Sequence, residues 1–280
     1  MPLINPEDAY REFVPLLEPG ETFPEHHIKV RAAELSRYVL IPGSHLRGRL
    51  IAEQMDDCRV VSATRGYYLY TGYYQGERLT VCSTGMGGPA AAIAMEELGA
   101  MGCDTFVRVG SAGAVAPGLG VGDIAIATGC VRGGGTANRY LPLAFPAVPN
   151  FELTEALVGA ARGAGVAVRL GVCATGDAFY APDPEAESLL LRQAGVLAIE
   201  MEADTLFVVA QYRGWRAAAG FVLDGGDARE VGDSSSEHMA IADHATHRTF
   251  KEGELALIHI SLGALAAVAR REKDLPVAGR

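Results

Sequence analysis

The sequence predicts an α/β fold, a three-layer α/β/α sandwich with a mixed central sheet. Short, continuously apolar runs recur at 38–41, 79–82, 105–109, 123–127, 170–174, 196–199 and 217–223, and they alternate with stretches of helical spacing. Strands that are apolar throughout are those covered by helices on both faces. The 280 residues are 49% hydrophobic and show neither linker composition nor an internal repeat, which suits one domain with a large core.

Residues 1–25, rich in Pro and Glu, read as an N-terminal arm; 26–270 read as a single domain and 271–280 as a charged tail. His26-His27-Ile28-Lys29-Val30 reads as a short strand. The run 38–41 ends in Pro42-Gly43-Ser44-His45-Leu46-Arg47, followed by a helix with Leu50, Ile51 and Met55 on one face. Tyrosine-rich strands at 60–62 and 66–74 meet near Arg65. The centre of the chain is a βαβ unit. Its first strand, 79–82, runs into the glycine turn Ser83-Thr84-Gly85-Met86-Gly87-Gly88-Pro89, and a helix of small residues covers 90–101. Its second strand, 105–109, runs into a second expected turn, Gly110-Ser111-Ala112-Gly113. Glycine at such turns lets the backbone approach a ligand and point N–H groups at an anion. In open α/β sheets ligands bind past the carboxyl ends of the strands, where both turns fall.

The remaining elements follow in order: a strand at 123–127, a Gly- and Pro-rich loop over 133–150, a helix at 151–165, a strand at 170–174 and a loop at 175–184. Then come a helix at 186–194, a strand at 196–199, an apolar helix at 203–212 opened by Glu200-Met201-Glu202, and a strand at 217–223 ending in Asp224-Gly225-Gly226. One or two closing helices cover 237–269, after a mobile loop at 227–236.

Charge and composition exclude several classes. A net charge of −10 and a pI near 5.2 oppose a general nucleic-acid surface while allowing a local anion pocket. No run of eighteen apolar residues is present, and the polar N-terminus is unlike a signal peptide, so a soluble cytoplasmic protein is expected. The five cysteines are widely spaced with no C-x-x-C, as for buried free thiols. His238, Asp243, His244 and His247 lack a companion zinc motif and read as a solvated helix face. The glycine segments are not a dinucleotide fingerprint, since no G-x-G-x-x-G occurs.

Several separate motifs, in order, resemble the nucleoside phosphorylase family that includes uridine phosphorylase and the hexameric purine nucleoside phosphorylases. They are His27-Ile28, Pro-Gly-x-x-x-Arg at 42–47, the glycine segments at 83–89 and 108–114, Asp-x-Phe-Tyr at 177–180 and Glu200-Met201-Glu202. The resemblance implies phosphate-dependent cleavage of a nucleoside's N-glycosidic bond, giving free base and (deoxy)ribose 1-phosphate. It implies no metal or organic cofactor, inorganic phosphate serving as co-substrate. Gly43, Arg47, Arg108 and Ser111 match phosphate-site residues, and Arg65 matches an arginine lent by a neighbouring subunit. Met201 and Glu202 match the ribose clamp, with Glu200 beside them, and His27 matches the residue that reaches the 5′-hydroxyl from the partner. Phe179 matches the aromatic against the base, Ala112 and Gly113 line the base site, and Asp224 aligns with the purine branch's acid. Arg108 and Asp224 are thus the implied catalytic pair, and a hexamer built from dimers is implied because His27 and Arg65 act across an interface.

The chain departs from the family at three places. The usual Pro-Gly-Asp-Pro-x-Arg is here Pro42-Gly43-Ser44-His45-Leu46-Arg47. The segment 177–185 holds neither the glutamine nor the arginine with which uridine phosphorylases read uracil. Leu223 precedes Asp224 where the purine branch has serine. The wording of residues 79–150 is nearer the uridine branch, and Phe179-Tyr180-Ala181-Pro182-Asp183 is nearer the purine branch, so the resemblance is uridine-phosphorylase-like overall with purine-type features in the base loop, and both purine and pyrimidine stay open at this point. Two rivals stay open as well: a hydrolase of the same fold using water, and a nucleoside-binding protein without turnover.

Overall fold

The computed structural model describes residues 13–16, 22–182, 184–225 and 244–274. Their order is β1 (Tyr38–Pro42), α1 (His45–Ala52), β2 (Asp56–Thr64), β3 (Tyr67–Tyr74), β4 (Glu77–Ser83), α2 (Gly88–Ala100), β5 (Thr105–Ala114), β6 (Ile124–Gly133), α3 (Ala137–Tyr140), α4 (Phe151–Gly163), β7 (Arg169–Gly176), α5 (Pro184–Gln193), β8 (Ala198–Glu200), α6 (Ala203–Arg213), β9 (Arg216–Leu223) and α7 (His244–Asp274). Most of the 1–25 arm, Asp183, the whole loop 227–236 with His238 and Asp243, and 275–280 of the tail lie outside the described residues.

The strands form one mixed sheet in the order β2-β3-β4-β1-β5-β8-β7-β6-β9. Strands β1, β4, β5 and β9 run parallel, so their carboxyl ends share one edge. A further pairing of β5 with β9 closes the second half of the sheet on itself, β5 being bonded to β1, β8 and β9. The mixed sandwich expected from the sequence is therefore present, with half of its sheet rolled into a ring.

Helices cover both sides of the sheet. On one side α2 and α6 bury Met95, Leu98 and Phe207 against Phe106 and Phe221. On the other, α1, α4 and α7 bury Ile51, Leu157, Leu257 and Leu265 against Leu40, Leu79 and Val107. Each such side chain contributes about 1.5–3 kcal/mol on burial. Every residue of α6 from Ala203 to Ala210 is buried, the polar Asp204 and Thr205 included, so it is a core helix covered on all sides. Helix α7 holds a stretch, Arg248–Asp274, long and apolar enough to cross a membrane by length and composition, and most of that stretch is buried against the sheet and α4. The five thiols are free, Cys58 half-buried and the other four buried.

Three local expectations are corrected. Gly110-Ser111-Ala112-Gly113 is not a turn: β5 continues through it to Ala114, pairing Ala112 with Leu223 and Gly113 with Ile199. The small residues serve packing, because a Cβ on Gly110 would lie 2.7 Å from the Phe221 ring. The stretch 26–30 forms no strand; its buried Ile28 and Val30 are held in unpaired backbone by side chains of α2 and β2. Within 133–150 the short helix α3 forms, and Arg132 donates to the carbonyls of Leu141, Pro142 and Phe145 to fix it.

Candidate active site

Two loops meet at the carboxyl edge of the parallel strands. Thr84 N–H donates to Pro42 O at 3.0 Å and Gly85 N–H to Gly43 O at 2.9 Å, which zips the β1–α1 loop to the β4–α2 turn. Ser44, standing where the resembled motif has aspartate, caps α1 by accepting from Arg47 N–H at 3.3 Å. Gly43 leaves room where a side chain would be tight. A Cβ there would lie 3.0 Å from Gly85 O and 3.2 Å from Arg108 Nη2.

Arg108 is the centre of the site. It projects from β5 towards α2 and α6 and is 4% exposed. Strand β8 runs back antiparallel along β5, and this returns Glu200 and Glu202 to Arg108. Arg108 Nη2 donates to Glu202 Oε2, and its Nε lies 3.6 Å from Glu200 Oε2. Yet Nε and Nη1 are buried without a hydrogen-bond partner. Nε has only the longer ion pair with Glu200 and Nη1 has no partner at all; an unpaired buried guanidinium N–H is costly, and an anionic oxygen would satisfy it.

The two glutamates differ. Glu202 also accepts from Gly87 N–H at 2.5 Å, tying the glycine turn to the start of α6. Glu200 is inward and dry: it accepts from Thr175 Oγ1 at 2.6 Å and from the N–H groups of Glu202 and Ala203 at 2.9 Å. Burial pushes its carboxyl up to about 7, with Arg108 pulling down and Glu202 pushing further up. Met201, between them, is half-buried.

Arg47 forms the second basic position. Its Nε donates to Glu254 Oε1 of α7 at 2.7 Å, Lys251 reaches the other oxygen at 2.8 Å, and Arg47 and Glu254 are both buried. Ser111, on the rim of β5, hydrogen-bonds the Asp224 carboxylate, whose backbone N–H donates to Ala112 O at 3.1 Å. Asp224 is itself solvent-exposed; the protein packed around it still raises its carboxyl above the ordinary value, against the pull of its own backbone N–H, Arg47 and Ser111. Ala112 is buried and Gly113 half-buried beside it. Gly43, Arg47, Arg108, Ser111, Glu200, Glu202 and Asp224 thus gather at one edge.

The other sequence-derived residues stand apart. Phe179 is 66% exposed and packs edge-on against Tyr180 at 5.0 Å. Arg65 sits exposed in the β2–β3 turn with a left-handed backbone (φ 51). His27 lies next to that turn, since Thr64 Oγ1 donates to His27 O at 2.8 Å. Strands β4 and β1 separate this corner from β5, about 14 Å of sheet. The sequence reading missed Glu97, Glu254 and Thr175. All three act through side-chain contacts between segments far apart in the chain, and no local spacing marks them.

A family model described as the phosphorylase superfamily matches residues 37–255. The chain is 42% identical over 205 residues to a uridine phosphorylase of Thermococcus kodakarensis, covering 69% of this chain and 74% of that one. It is 36% identical over 242 residues to a guanosine phosphorylase of Halorubrum lacusprofundi, covering 86% of this chain and 98% of that one. The crystal structure of uridine phosphorylase from Vibrio fischeri matches with a TM-score of 0.80 and 28% identity, over 90% of this chain and 100% of that one.

Proposed function

This chain belongs to the phosphorylase superfamily, and from that premise we infer that it is a nucleoside phosphorylase, splitting a nucleoside with inorganic phosphate into free base and pentose 1-phosphate. The observation that carries the reading is the Arg108 guanidinium, buried with Nη1 unpartnered while Nε faces Glu200 and Nη2 holds Glu202. One side chain therefore links an anion site to the carboxylate that would grip a sugar. Phosphate would take the free Nη1 of Arg108, with Arg47, Ser111 and the Gly43 loop around it. Glu202, assisted by Met201, would hold the ribose hydroxyls. Phosphate below the ring and a carboxylate on the hydroxyls both stabilise the oxocarbenium-like cation that forms as the glycosidic bond lengthens. The raised Asp224 carboxyl suits an acid that neutralises the charge on the departing base. A purine is the leaving base that Asp224 supports, together with the lack of glutamine and arginine in 177–185.

A homo-oligomer, a hexamer of paired dimers, is the assembly that this reading calls for. His27 and Arg65 lie about 14 Å of sheet away from β5 and would complete a neighbour's site. A cytoplasmic location and the absence of any cofactor other than phosphate belong to the same proposal.

The test is base release from uridine, thymidine, inosine, guanosine, adenosine and methylthioadenosine, with and without phosphate. Phosphate-dependent release is expected, strongest with a purine. Arg108→Ala should cut it by about 10²- to 10³-fold. Release that ignores phosphate would make the protein a hydrolase and overturn the reading.

A further inference from the structure

Glu97, on the inner side of α2, is the most heavily bonded carboxylate outside the Arg108 cluster. It accepts from His27 N–H at 3.0 Å on both oxygens, from Ile28 N–H at 2.7 Å and from His27 Nδ1 at 2.5 Å. Its side chain is 9% exposed, against 29% for His27. Burial pulls this carboxyl up, but the N–H groups of Ile28 and His27 and the His27 ring outweigh burial and hold it below its ordinary value. Glu97 is therefore an anion at neutral pH and only an acceptor.

The ring follows from this. A nitrogen 2.5 Å from a carboxylate oxygen has to carry the proton, so His27 is protonated at Nδ1. Nε2 is then the ring nitrogen left over, and it makes no hydrogen bond among the described residues. The backbone around it is fixed as well. Glu97 holds the His27 N–H, Thr64 holds the His27 carbonyl and His26 packs edge-on at 4.8 Å. Ring position and the identity of the free nitrogen both trace to one glutamate.

We propose that Glu97 is a positioning residue: it accepts from the Nδ1–H of His27, fixes the ring and so aims Nε2 at the nucleoside's 5′-hydroxyl. The proposal rests on the nucleoside phosphorylase reading and on His27 facing the 5′ end. It reaches further, because it names the group that aims the ring. A 5′-deoxy nucleoside offers nothing for that nitrogen to bond.

The experiment compares kcat/KM for the best nucleoside of the panel with that for its 5′-deoxy counterpart, at saturating phosphate. The wild-type protein, His27→Ala and Glu97→Gln are measured side by side. The wild type should favour the 5′-hydroxyl by about tenfold, the usual net worth of one hydrogen bond. In both variants that ratio should fall close to one. Circular dichroism and the thermal midpoint of each protein, close to wild type, show that the variants are folded. Glu97→Gln keeps the size of the side chain, but one amide cannot accept from all three donors while its NH₂ faces some of them. A ratio lost in His27→Ala and kept in Glu97→Gln would overturn the role of Glu97. A ratio kept in both, or absent from the wild type, would remove His27 from the 5′ contact and this inference with it. Phosphate dependence of the wild type in the same assay separates either result from a failure of the phosphorylase reading.

Discussion

Arg108 and Glu200 show how charge is held in this protein without being fully neutralised. Glu200 is a carboxyl kept dry by α6 and β7, beside a guanidinium that also serves Glu202. Its value near 7, against an ordinary 4.5, makes the folded state bind a proton more tightly than the unfolded chain does. Its contribution to stability is thus complete below about pH 4.5 and is lost as pH rises towards 7. The thermal midpoint should fall across that window, and Glu200→Gln should flatten the fall. The flattening is partial, because Asp204 and Asp224 are raised too and act with the same sign. Glu97, Glu254 and Glu272 are lowered, so their contributions fade only at more acid pH. Motifs made Arg108, Glu200 and Glu202 legible in the sequence, since Arg108 stands two residues before a glycine-rich segment and the two glutamates flank Met201 where β8 gives way to α6. Glu97 and Glu254 were not legible. On a helix an acidic residue at an inward position looks like any polar residue until its distant partner is known.

Helix α7 and strand β5 set the precision of the site between them. Helix α7 reaches the site through Glu254, and it comes close enough to do so through glycine. A Cβ on Gly253 would lie 2.2 Å from Gly122 O, in the turn that precedes β6. Gly253→Ala should push α7 outwards and cost about 1–3 kcal/mol in denaturant unfolding. Phosphate KM should rise as well, because Glu254 moves with the helix. Glu254→Ala should be harsher, at about 3 kcal/mol, since it leaves the buried Arg47 without its carboxylate. Nucleoside KM should change less than phosphate KM in that variant, which steady-state kinetics with each substrate varied will show. For β5, the sequence revealed the strand but not its length. Gly-Ser-Ala-Gly has the composition of a turn, and only pairing with β8 and β9 keeps it extended.

For the molecule as a whole, alternating apolar runs were enough to predict the layers, because burial on both sides of a sheet leaves a direct mark in composition. The mixed directions of β5/β8 and β6/β9 and the closure of the ring left none, since pairing partners are chosen over long separations. That closure has a consequence for how the protein is made. Strand β5 leaves the ribosome well before β8 and β9, the strands that complete it. Until they arrive, the nascent chain carries a long apolar strand with an open edge, and Arg108 on it has neither glutamate. Such an edge invites pairing with other chains. A chain stopped at Gly214 should therefore collect in aggregates, whereas the full-length chain stays dispersed once its ninth strand has sealed that edge.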